Sequence, residues 1–181
     1  ECARLFSSSG PPGPEDIRRL YDAAAPLLLR IAARIAGSME AAEDIVHDSF
    51  ARLVEKGIAF PSMDDAKFWL IRVVKNGALN YAKRKGREAR AYEKWWRGER
   101  ESSVGADDVV LKKESAEELR TGLEALPDSL KAVLILKEYG GLSYKEIGRA
   151  LGISEGNVKV RAFRAREALL IKLGEASKHV S

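Results

Sequence analysis

The stretch Leu142–Arg166, LSYKEIGRALGISEGNVKVRAFRAR, restricts the possible folds more than any other part of the chain. Ser143 can cap a helix start, and Glu146 three residues later completes a capping box. Ile147 and Leu151 then fall at i, i+4 and form one short apolar face. Gly152 stands where a helix end needs positive φ, which a residue without Cβ adopts most readily. Ser154 offers a second N-cap, and a longer helix opens with Glu155, Gly156 and Asn157. Two capped helices around a tight glycine turn make a helix-turn-helix, a motif whose second helix lies in the major groove of DNA. On that helix Val158, Ala162, Ala165 and Leu169 can face inward. Lys159, Arg161, Arg164 and Arg166 then project outward, within reach of phosphates or guanine edges. The plainer alternative is a helical hairpin with a solvated basic face.

Charge is distributed unevenly along the chain. The net charge of +4 says little, but basic residues gather at 83–100 and 159–172 and acids at 107–118. That separation suggests an anionic partner and two modules, and 181 residues suffice for one domain or two small ones. The single cysteine, Cys2, rules out an internal disulfide and fits a reducing compartment. The opening ECARLFSSSGPPGP lacks the order of a signal peptide. The longest apolar run is broken by Pro26, Arg30 and Arg34, so no membrane insertion is expected and the expected location is cytoplasmic.

Taken in order, residues 1–15 read as a flexible N-terminus. A first helix runs from Pro14-Glu15-Asp16 to Gly37, with Pro26 expected to kink or split it. A second spans about Met39 to Lys56, with Ala42, Ile45, Val46, Ser49, Phe50, Leu53 and Val54 as its inward stripe. A third starts at Asp64 or Asp65, turns Phe68, Ile71, Val74 and Ala78 inward, and runs into a polar linker near residue 86. After Pro127 another helix begins at Ser129, with Leu130, Val133, Leu134, Leu136 and Tyr139 apolar, and ends at Gly140-Gly141. Strand alternation is absent. The expected fold is all-α: two small helical domains on a flexible linker.

Three stretches make the chain resemble the bacterial extracytoplasmic-function (ECF, group IV) sigma factors of the sigma-70 family. They are Ala42–Phe50 (AEDIVHDSF), Phe68-Trp69-Leu70 with Asn76 and Arg84, and Ala125-Leu126-Pro127 followed by Leu142–Ile147 and Gly152–Arg166. The resemblance implies sigma region 2 at 16–86, a linker at 87–109, region 4 at 110–175 and a tail at 176–181. It also implies three partners: core RNA polymerase (clamp and flap), promoter DNA, and an anti-sigma factor. His47 stands in place of a usual glutamine and Asn80 in place of a frequent aspartate; Asn157 and Val160 replace a threonine and a serine. These departures bear on promoter preference.

Glu43, Asp44, His47 and Asp48 share one helix face, and Glu43 and His47 are one turn apart, as metal ligands can be. With the other histidine at position 179, no metal or other cofactor is expected, and the resemblance assigns this acidic face to polymerase docking. For the −10 element it assigns the loop Phe60, Pro61, Ser62 and Met63 as the base pocket, and Lys75, Asn76, Asn80, Lys83 and Arg84 as strand contacts. Stacking and positive charge are what hold a single strand. For the −35 element it assigns Ser154, Glu155, Asn157, Lys159, Arg161, Arg164 and Arg166, with Arg161 and Arg164 nearest the bases. Trp95 and Trp96 fit either stacking or anchoring of the linker. No phosphate-cradling loop, Ser/His/Asp set or CxxC occurs, so the reading is not an enzyme. Two other readings are a stand-alone helix-turn-helix regulator and a sigma-like decoy that binds an anti-sigma factor.

Overall fold

In a computed structural model, which describes residues 12–96, 119 and 121–179, every regular element is α-helical. Helix α1 (Pro14–Ala36) starts with proline at its first position and an N-terminal capping contact, Gly13 N–H to Asp16 Oδ2 at 3.2 Å. It runs unbroken through Pro26, contrary to the expected split. Pro26 and Asp22, whose carbonyl the proline cannot bond, both lie on the exposed side, where the freed carbonyl is open to solvent. Leu20, Ala24, Leu28, Ile31 and Ile35 form its buried stripe.

Helix α2 (Met39–Glu55) is capped by Ser38, whose Oγ accepts the Ala41 N–H at 3.2 Å. Ala42, Val46, Ser49, Phe50 and Leu53 are buried, as expected. Val54, however, is 59% exposed and Ile45 only half-buried. The inward stripe is therefore narrower than the apolar pattern, because Val54 lies a further 100° round the helix beyond Leu53. Helix α3 (Met63–Trp96) starts slightly earlier than expected, since Ser62 caps it: its Oγ accepts the Asp65 N–H at 3.2 Å and donates to Asp65 Oδ2 at 2.6 Å. α3 packs on both α1 and α2, burying Leu70, Ile71, Val74 and Ala78.

After helical turns at 121–124 come α4 (Asp128–Glu138), α5 (Tyr144–Leu151) and α6 (Glu155–His179), which pack together. Tyr139, expected with the apolar set of α4, is 38% exposed, and its ring lies under the Arg34 guanidinium of α1 at 4.5 Å. The capping box of α5 is formed as the sequence indicates. Ser143 Oγ accepts the Glu146 N–H at 3.2 Å, and the Ser143 N–H reaches Glu146 Oε2 at 2.8 Å. The hydroxyl and N–H of Ser143 hold the Glu146 carboxyl below its ordinary pKa. Gly152 closes α5 at φ 70°.

The two helical regions are not separate bodies. α3 packs on α5 and α1 on α4, and one apolar cluster runs from Leu20 through Val74 to Val133, Ile147 and Ala162. Of the expected linker 87–109, residues 87–96 continue α3; residues 97–118 and 120, the first eleven residues and the last two lie outside the described residues, as do the side chains of Trp95 and Trp96.

Gly148, inside α5, has a structural reason to lack a side chain: a Cβ there would lie 2.8 Å from the backbone oxygen of Ile153. Propensity alone would make Gly148→Ala a gain of about 1 kcal/mol. The close approach reverses the sign, and we expect Gly148→Ala to cost ~1–3 kcal/mol, read as a lower denaturant midpoint at unchanged m-value.

Candidate nucleic-acid interface

α6 presents Gly156, Asn157, Lys159, Val160, Phe163 and Arg164 to solvent, opposite the buried Val158, Ala162 and Ala165. Ser154 and Glu155 are exposed at its start, where Ser154 Oγ accepts the Asn157 N–H at 3.3 Å. The basic residues assigned to the −35 element have different surroundings. Arg164 is exposed. Lys159 pairs with Glu155 at 2.8 Å, one helical turn away. Arg166 pairs with Glu138 of α4 at 2.7 Å, so it also ties α6 to its neighbour. Arg161 is half-buried and points toward α3, where it helps line a groove of about 430 Å³.

The opposite wall of that groove carries Lys75, Asn76, Asn80 and Lys83 of α3, and Asp128 and Ser129 of α4 close one end. Residues assigned to the two promoter elements thus meet across one cleft. Burial lowers the Lys75 pKa and nearby Arg72 lowers it further, while Asp128 acts the other way. Lys83 Nζ is 2.5 Å from Asp128 Oδ2. Arg84 faces away, over the Tyr81 ring at 5.6 Å, beside a second groove shared with Asp44 and Asp48 of α2. The ring of Phe60 meets that of Trp69 at 5.8 Å. Pro61 is exposed, Ser62 is taken up in capping, and Met63 is the first residue of α3. Glu43, Asp44, His47 and Asp48 all lie exposed on α2, with the His47 ring 6.4 Å from Tyr21. Among the described residues no group of three His, Cys, Asp or Glu could hold a metal ion. No helix among them is long and apolar enough to cross a membrane.

Residues the sequence did not single out clasp the two regions. Arg72 donates from Nε to the Ala150 carbonyl at 2.7 Å and from Nη2 to that of Arg149 at 3.2 Å, capping the C-terminus of α5. Arg149 in turn reaches Asp65 at 2.8 Å and lies over the Phe68 ring at 4.6 Å. No periodicity signals these pairs, because their members are far apart in sequence. The outward placing of Val160 and Phe163 was readable from their offset to Val158 and Ala162.

The described helices coincide with two families: Sigma-70 region 2 matches residues 20–88, and Sigma-70, region 4 matches residues 116–169. The chain is 30% identical over 136 residues to the ECF RNA polymerase sigma-E factor of Salmonella typhimurium, covering 70% of each chain. This chain is an ECF sigma factor of the sigma-70 family. A second relative, the ECF RNA polymerase sigma factor SigE of Mycolicibacterium smegmatis, is 28% identical over 153 residues. That match covers 84% of this sigma factor but 59% of the mycobacterial protein's length. In fold, this sigma factor is similar to the sigma factor RpoE of Bartonella quintana, solved with the anti-sigma factor NepR. The TM-score is 0.59 at 22% identity, covering 88% of this chain and 98% of that one. CnrH, solved with the cytosolic domain of CnrY, is also similar, with TM-score 0.59 at 19% identity and 88% of each chain covered.

Arg72→Ala should release the clasp. Hydrogen bonds from an exposed cation are worth about 1–2 kcal/mol here, or roughly five- to thirty-fold in the ratio of separated to packed modules. Small-angle scattering should show a larger radius of gyration than for the parent chain, with helix content unchanged; an identical radius would contradict the role given to Arg72.

Proposed function

We propose that this ECF sigma factor is a dissociable specificity subunit of RNA polymerase. It binds core polymerase at the clamp and flap, sets residues 110–175 on the −35 duplex and residues 16–86 on the −10 element, and captures the opened strand. The observation that carries this reading is the pairing of two basic surfaces, on α3 and α6, with a third, acidic face on α2 that is exposed among the described residues. Glu43, Asp44, His47 and Asp48 form that face and are suited to a basic polymerase surface. Two modules on one tether reinforce each other through effective concentration, so each promoter contact can be weak alone.

The packed arrangement sets a condition on this function. Lys75 is half-buried in a cleft lined by α4 and α6, Lys83 is paired with Asp128 at its edge, and Arg149 covers Phe68 beside Phe60 and Trp69. Full use of Lys75 and Lys83 in strand capture therefore calls for the modules to move apart, with Lys83 exchanging Asp128 for a phosphate. A protein that holds the modules together, or occupies the exposed faces, would silence the factor. The complexes of the similar RpoE and CnrH with NepR and CnrY support control by an anti-sigma factor here.

Transcription from purified components tests the proposal. Core polymerase plus this chain should yield promoter-specific transcripts that neither gives alone. Asp44→Lys with Asp48→Lys should abolish core binding while leaving the fold intact, because both residues are exposed. Specific duplex binding without transcription would favour a stand-alone regulator, and binding to neither DNA nor core would favour a decoy.

A further inference from the structure

The outward side of α6 near its start is apolar where a DNA-reading helix would be expected to be polar. Of seven large hydrophobic side chains exposed among the described residues, four lie on this helix: Val160, Phe163, Leu170 and Ile171. Val160 is 47% and Phe163 61% exposed. They sit together, with Gly156 one turn before Val160 on the same side, and a Cβ on Gly156 would meet nothing within 4 Å. The glycine is therefore not required by packing, and it leaves the helix surface low just ahead of Val160. Leu170 and Ile171 lie ~10 Å further along the axis, beyond the charged Glu167.

The polar side chains around this ridge are largely occupied elsewhere. Arg161 points into the inter-module groove, Arg166 is held by Glu138, and Lys159 by Glu155. Asn157 and Arg164 flank Val160 as its nearest exposed polar neighbours on the other side. In the major groove, the one apolar group a base pair offers is the 5-methyl of thymine. A valine in a helix holds a single χ1 rotamer about nine times in ten, so its methyls are already fixed before contact. The flanking Arg164 supplies the attraction to phosphate that brings such a ridge to duplex DNA.

We infer that Val160 is a specificity-determining residue that reads a thymine 5-methyl group in the −35 element, with Phe163 extending the contact. The inference rests on the proposed placing of α6 in the −35 major groove. It assigns one base position to hydrophobic contact and leaves Arg164 as the main charged reader beside it.

The test uses the full chain bound to core polymerase and duplexes that this complex selects from a randomised pool. In the selected sequence each thymine is replaced in turn by deoxyuridine, which lacks only the methyl. At one thymine the replacement should weaken binding about four-fold, the worth of one buried methyl. Val160→Ala should bind the thymine and deoxyuridine duplexes equally at that position while keeping the parent's preference elsewhere. Val160 is exposed, so this variant should fold, and circular dichroism checks that it does. A selected sequence that loses affinity on Arg164→Ala but shows no methyl effect dependent on Val160 overturns the inference and leaves the −35 reading standing. Failure to select any sequence overturns both.

Discussion

A guanidinium at the end of a helix fixes the relation between the two halves of this molecule. The last carbonyls of an α-helix have no partner within it, and they carry the negative end of its dipole. In α5 two of these carbonyls, of Arg149 and Ala150, accept hydrogen bonds from Arg72, which belongs to the other module. The same turn brings Arg149 over Phe68 and onto Asp65, so each module supplies a cation to the other. Because α3 is anchored in the core beside α1 and α2, the helix-turn-helix takes its orientation from that core.

What could be read from the sequence was what local chemistry determines. Ser143, Glu146 and Gly152 satisfy backbone groups within a few residues of themselves, and the capping box and left-handed turn stand where those residue types place them. The inward faces of α2, α3 and α6 followed from spacing, apart from the edges. Val54 and Tyr139 are apolar without being buried, because the width of a buried stripe is set by the neighbouring helix and not by the stripe itself. Continuity through Pro26 depended on which way the freed carbonyl faces, a matter of tertiary placement.

The candidate site was legible as a set of residues and illegible as an arrangement. Lys75 and Lys83 look onto α4 and α6, whereas Asn76 and Asn80 stand between that cleft and the groove shared with α2. Arg161 carries the same charge and spacing as its neighbours on α6, yet it points into the cleft. Arg72 was indistinguishable in the sequence from a strand contact. Its partners lie 77 and 78 positions away, and no pattern of three- or four-residue steps reaches that far. Arg34 shows the cost of such packing: its guanidinium rests on Tyr139, while its Nε is buried without a hydrogen-bond partner.

The pairing of Lys83 with Asp128 bears on how this sigma factor would respond to ionic strength. A lysine that meets DNA from open solvent displaces a condensed cation from the polyanion, and each such event steepens the dependence of affinity on salt. On the proposed strand contact, Lys83 would instead trade one anion for another and free a carboxylate beside the incoming strand. The electrolyte sensitivity of the complex should therefore fall short of the number of its cationic contacts, the shortfall marking the internal carboxylate that DNA must supplant.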